Sequence, residues 1–247
     1  MRIDARGLHY QELNQRVRRA VESGEKEIVL DNVNGQRYIG AGLRVQANII
    51  INGVPGNDLA SFMDGPHIVV NGNGQDLIGN TMNSGKVVVH GDAGDVIGHS
   101  MRGGKIFIRG NVGYRVGIHM KSYQDLFPVI VAGGTARDFL GEYMAGGVLV
   151  LLGLDREKGP LAENMVGNYV GTGMHGGTIY IRGQVEDYQL GKEVGRQKLA
   201  QEDWEELEAY LKEFCKEFSL DLEEILQQEF TKLIPYSHRP YGKIYAY

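Results

Sequence analysis

Gly91, Gly94 and Gly98 recur 19 residues later as Gly110, Gly113 and Gly117. Glycine-rich loops of this kind can bring backbone N–H groups up to a phosphate. A dinucleotide fingerprint, however, needs GxGxxG between a strand and a helix whose N-terminus receives the pyrophosphate. Here the pattern is GxxGxxxG and it leads into strands. The nearest P-loop mimic, GNTMNSGKV from Gly79, has one residue too many before its second glycine and a valine where Ser or Thr would hold magnesium. His67, His99, His119 and His175 fall at different places in the repeat, so no histidine ladder is expected, and no HExxH or HxH pair supplies a metal site. Asp76 and Asp95 are equivalent in adjacent repeats; calcium there is weighed against solvated corner carboxylates, and the calcium-binding nonapeptide pattern is absent. Cys215, the only cysteine, lies beside Phe214 and Phe218 and is expected to pack rather than react. No catalytic, cofactor-binding or metal-ligating residue is assigned in this chain.

The elements behind these residues follow from a repeat. Met63, Met82, Met101 and Met120 are 19 residues apart, and Met144 and Met174 follow after steps of 24 and 30, with Leu43 in the same slot of an earlier unit. Small residues recur ten, seven and three places before the methionine, as Gly53/Gly56/Ala60, Gly91/Gly94/Gly98 and Gly110/Gly113/Gly117. Partial copies are Gly72/Gln75/Gly79, Gly134/Arg137/Gly141 and Asn164/Gly167/Gly171. Four places before the slot stand Ile39, Leu59, Ile78, Ile97, Val116, Leu140 and Val170. Each unit ends in an apolar pair spaced by two, such as Ile49/Ile51, Val87/Val89 and Ile179/Ile181, which places both members on one face of a strand. Short strands with glycine corners, stacking about 4.8 Å per coil, predict an all-β core: a right-handed single-stranded parallel β-helix of about seven coils. A leucine-rich repeat would need a leucine ladder and a helical return, which these corners do not supply.

Three regions are expected: residues 1–30 as a helix and strand cap, 31–183 as the solenoid, and 184–247 as amphipathic helices with an extended tail. Tyr10, Leu13, Val17 and Val21 share one helical face ending at Gly24, and KEIVL leads into the solenoid. Trp204, Leu207, Leu211, Phe214 and Phe218 follow three-four spacing. Asp221 and Glu224 fit a capping box for a second helix bearing Leu222, Ile225, Leu226 and Phe230. Eleven acids against two bases between Glu202 and Glu229 give -9 there, so the remainder of a chain of net charge -5 sums to +4. The acidic stretch reads as a solvated helix face or as a docking surface. Between the inward pairs lie Ile50, Val69, Val88, Phe107, Val131, Val150 and Tyr180, an outward apolar stripe to be covered by the C-terminal helices or by a partner.

With 247 residues, 42% of them hydrophobic, the chain can bury a substantial core. Its acidic balance argues against nucleic acid as a partner. A single cysteine fits a reduced, cytoplasmic setting, and no segment approaches the run of about 20 apolar residues that crosses a bilayer.

The coils GHSMRGGKIFIRG, GEYMAGGVLVLLG and GTGMHGGTIYIRG resemble the GXGXG domain, the right-handed β-helix that ends the large, alpha subunit of glutamate synthase. The match covers about residues 30–183. The opening IDARGLHYQELNQ, with NVNGQRYIGAGL and the ending RPYGKIYAY, is similar to the stand-alone version found where that subunit is split into separate chains. The resemblance implies a structural subunit of an oxidoreductase. Its partners would be the glutaminase that releases ammonia and the synthase that makes glutamate from 2-oxoglutarate. FMN and iron–sulfur would belong to the partner chain, with no cofactor and no catalytic residue in this one. The same coil occurs as a scaffold in the C subunit of formylmethanofuran dehydrogenase, a tungsten or molybdenum complex, which is the alternative. From a different class comes a carbohydrate-binding β-helix, whose groove should carry carboxylates or aromatics in register; the Asp76/Asp95 ladder is broken by Tyr114 in the next coil.

Overall fold

The structure, a computed structural model, describes residues 1–154 and 165–236. Asn164 and the RPYGKIYAY ending lie outside the described residues. The repeat appears as strands β2 (Glu27–Asn34), β3 (Asn48–Val54), β4 (Asp64–Asn71), β5 (Ser84–Val89), β6 (Gly104–Ile108), β7 (Pro128–Ala132), β8 (Ala145–Leu151) and β9 (Gly176–Arg182). Each pairs in parallel with the next, in chain order. The expected parallel β-solenoid is what forms. Its register is the sequence register: Ile28 pairs with Ile49, Ile49 with Ile68, Ile68 with Val87, and Val87 with Ile106. KEIVL therefore does more than lead in, because Ile28 and Leu30 form the first rung.

The interior is hydrocarbon. The methionine slot, the residue four before it and the strand pair of every coil are buried in one continuous cluster. Stacking equivalent side chains gives each coil an apolar floor and ceiling, so neighbours supply the burial that a single coil lacks.

A solenoid leaves two raw ends, and both are closed. At one end β1 (Arg2–Asp4) pairs in parallel with β2, and α1 (Tyr10–Glu22) lays Leu13, Val17, Ala20 and Val21 over the first coil. At the other, β11 (Phe230–Pro235) pairs antiparallel with β9, and β10 (Val194–Gln197) pairs antiparallel with β11. Short or antiparallel closing strands blunt a sheet edge that would otherwise template aggregation.

Between β10 and β11 lie α2 (Gln201–Phe218) and α3 (Leu222–Leu226). Asp221 caps α3, accepting from the N–H groups of Glu223 and Glu224, but the Glu224 side chain does not return a bond to the Asp221 N–H, so the expected capping box is only half formed. The helix stops at Leu226, so Phe230 is not a helical residue but the first of β11. The free edge of β9 recruits this segment, and edge pairing outweighs the short helical pattern.

Candidate functional site

The glycine corners do two separate jobs. Gly79, Gly98, Gly117, Gly141 and Gly171, three before the methionine, have φ between 67° and 74°. At Gly98 a Cβ would also overlap Ile130 Cδ1 of the next coil, so both the backbone and the core require the missing side chain. Gly53 and Gly72, at the ends of their strands, are also at positive φ, with Val33 O and Gly53 O respectively where a Cβ would sit. Gly56, Gly91, Gly94, Gly110, Gly113, Gly134 and Gly167 have no positive φ but lie against the preceding coil. At Gly113 a Cβ would overlap Asp95 Oδ1. These are packing sites, not a phosphate cradle.

Asp76 and Asp95 are not merely solvated. Asp76 Oδ1 accepts from the Asp95 N–H at 2.9 Å and Asp95 Oδ1 from the Tyr114 N–H at 2.8 Å. A second ladder runs beside it: Asn73 Oδ1 accepts from Asp92 N–H, Asp92 Oδ1 from Asn111 N–H, and Asn111 Oδ1 from Thr135 N–H. Corner side chains thus bond backbone N–H groups of the following coil. Asparagine does this as well as aspartate, so the acceptor oxygen matters and the charge does not.

The outward stripe is closed by the chain itself. Val88, Phe107, Val131, Val150 and Tyr180 are buried in a second cluster with Leu207, Leu211, Phe214 and Cys215 of α2 and Ile225 of α3. Val69 packs at its margin, and Ile50 is half-buried. Polar contacts fix the seam: Lys86 pairs with Glu217 at 2.5 Å, Lys105 pairs with Glu213, and the Tyr180 hydroxyl donates to Asp203 at 2.8 Å. Lys232 also pairs with Asp203 at 2.7 Å. Burial alone would raise the Asp203 carboxyl, but hydrogen bonds from Lys232, the Ala200 N–H and Tyr180 outweigh it and hold the group below the usual carboxylate range. Part of the acidic excess is therefore spent on the solenoid's own lysines. Cys215 is buried, and burial pushes its thiol up, with Asp221 adding to the effect.

One surface was not expected from the sequence. Most corners also place non-glycine residues at positive φ, five and one places before the methionine slot. The first row includes Leu77, Val96, Arg115, Phe139 and Tyr169, with φ from 57° to 66°; the second includes Phe62, Thr81, Ser100, His119 and Tyr143, with φ from 51° to 56°. Left-handed backbone costs an ordinary side chain about 1–2 kcal/mol. Glycine or Asp relieves it, and the coil accepts both, since Gly42 and Gly173 stand in the second row and Asp58 in the first. The bulky residues form two columns. The Arg115 guanidinium lies 4.3 Å from the Phe139 ring centroid, and Phe139 stacks on Tyr169 at 4.9 Å. His99 meets His119 edge-on at 6.0 Å, and His119 stacks on Tyr143 at 5.3 Å. Arg115 is ion-paired with Glu142, beside Tyr143 in the chain. The expectation that the histidines would not stack is corrected for this pair. Their frame positions differ by one residue, and one coil rise is short enough for the rings to meet. The sequence signal was available: large residues at frame positions that other coils give to Gly, Ser, Thr or Asp.

Among the described residues no group of three or more His, Cys, Asp or Glu could hold a metal ion. Likewise no described helix is long and apolar enough to cross a membrane. An open cleft of about 430 Å³ lies by Lys198, Trp204, Glu229 and Phe230, away from both columns.

A sequence model described as GXGXG motif matches residues 11–237. An uncharacterized protein of Methanocaldococcus jannaschii is 49% identical over 250 residues, which is 99% of this chain and 95% of its own length. Among solved structures, a chain of the formyltransferase/hydrolase complex of Methylorubrum extorquens, crystallised with methylofuran, superposes with a TM-score of 0.61. That likeness spans 84% of this chain and 72% of the other at 21% identity, and is a likeness of fold.

Proposed function

Since the chain belongs to the GXGXG motif family, we propose that it is a non-catalytic structural subunit that holds the active chains of a larger enzyme together. The observation that carries this reading is the spending of polar groups. The corner carboxylates and amides of the two ladders hydrogen-bond the next coil's backbone, one apolar cluster fills the coils, and the buried Gln36 and Gln189 are bonded to backbone carbonyls. A reaction needs a nucleophile, a base and donors converging on one substrate atom; a scaffold needs rigidity and surface.

Within this reading we propose a glutamate synthase, with the glutaminase and the FMN and iron–sulfur synthase as partner chains and the cofactors held there. Depleting the chain should leave glutamine hydrolysis and ammonia-dependent glutamate formation intact as separate activities while glutamine-dependent glutamate formation falls. Equal loss of all three, or of none, would count against it. A second placement, as scaffold of a complex that moves formyl groups, is favoured by the fold shared with a chain of the formyltransferase/hydrolase complex. Under that placement depletion disturbs formyl transfer and leaves glutamate formation alone.

A further inference from the structure

We propose that His67 is a proton-operated release for the last turn of α2, holding the cover shut at neutral pH and letting that turn open under mild acid. His67 lies in β4, turned away from the core because Ile68 beside it points in. Its neighbours on the same rung of the sheet are Asn48 and Lys86, and beyond them Lys105 and Val129. Lys105 pairs with Glu213 and Lys86 with Glu217, one helical turn apart on α2. The helix ends at the next residue, Phe218, and Ser219 takes a left-handed conformation. The register of bases against acids thus runs out at His67, whose Nε2 is buried and has no hydrogen-bond partner among the described residues.

A neutral imidazole tolerates this place, since it can carry its proton on Nδ1 and leave Nε2 bare. An imidazolium does not, because both ring nitrogens then donate and the buried one finds no acceptor. The charges acting on the ring are Lys86 from β5, which opposes a proton, and Glu217 from α2, which favours one. Burial, with Lys86 adding to it, outweighs Glu217 and holds the imidazole below the ordinary histidine range. β3 brings only the uncharged Asn48 to this rung, and Asp221, beyond the turn, is taken up in capping α3. The other histidine at the turn, His90, meets the Phe218 ring edge-on at 5.2 Å but is exposed and needs no opening to reach water. The closed cover is therefore at full strength above about pH 6.5 and weakens as pH falls through the lower folded value, because the open turn returns the ring to water and lets it bind the proton. The fold does not ask for histidine here, since the same rung carries asparagine, lysine or valine in other coils. What the opening bares is the Val69 and Val88 end of the apolar stripe.

The test measures amide exchange of the full chain at about pH 7.5 and about pH 5.5, on either side of the ordinary histidine value, corrected for the intrinsic pH dependence of exchange. Opening of residues 214–220, relative to the strand amides of β5 to β9, is expected to rise about threefold or more at the lower pH. His67→Gln, which cannot take up a proton, should abolish the rise, and His90→Gln should leave it. No rise in the unsubstituted chain, a rise that survives His67→Gln, or one lost in His90→Gln overturns the proposal. So does an equal rise throughout the solenoid. If His67→Gln does not fold, the imidazole NMR titration of the unsubstituted chain decides: a His67 midpoint below about 6.5 that coincides with the opening supports the release, and any other result overturns it. Asp203, at the other end of α2, is held below the usual carboxylate range and so lies outside this window.

Discussion

Val96 and Gly98 lie two residues apart at almost the same φ, 61° and 70°, yet substitution should move them in opposite directions. Gly98→Ala adds left-handed strain and a clash with Ile130, and should cost about 2–5 kcal/mol in chemical denaturation. Val96→Asn relieves strain at a half-buried position and should gain about 1 kcal/mol. Asp95 separates charge from acceptor. Asp95→Asn keeps an oxygen for the Tyr114 N–H and should be nearly neutral, whereas Asp95→Ala should cost about 1 kcal/mol, with calcium changing neither melting curve. Which glycines matter was readable from the frame, because the absence of a side chain is a sequence fact. The left-handed columns were harder to read: Phe139 and Tyr169 are residue types that ordinarily signal core, and only their frame positions, which an earlier coil gives to Asp58, mark them as standing outside it.

The covering helix α2 stakes its position on a few contacts. Phe214 is fully buried against Phe107, and Phe214→Ala should cost about 3–5 kcal/mol and raise self-association by baring the stripe. Amides of residues 200–233 should exchange as slowly as those of β5 to β9; fast exchange would mean that the stripe is only loosely covered. The first turn of α2 adds a pH dependence. The Asp203 pKa is depressed in the folded chain, so its contribution is complete above the ordinary carboxylate value of about 3.9 and is lost as pH falls through the lower folded value. Trp204, the single tryptophan, sits next to it and packs on Phe230, so its fluorescence should report an acid step that Asp203→Asn removes. The coil strands and α2 were legible because periodicity marks them. β10 and β11 were not, since their warrant is the hydrogen-bonding edge of β9, and nothing in TKLIP announces that a strand end lies open nearby.

At the scale of the whole molecule, one core runs from α1 to the last coil, and each coil borrows its floor from the next. Such an array gains little from an isolated coil, so a cut within the solenoid should abolish folding rather than halve it. The fold class was legible at this scale because the period is short and the methionine slot nearly invariant. The partner was not, because docking depends on where exposed side chains converge across coils. The most direct measurement is native mass spectrometry of the tagged chain released gently from its own cells. The account predicts a fixed stoichiometric complex with catalytic chains, and no turnover by this polypeptide alone. A free monomer with its own turnover, abolished by changing one polar side chain, would contradict it.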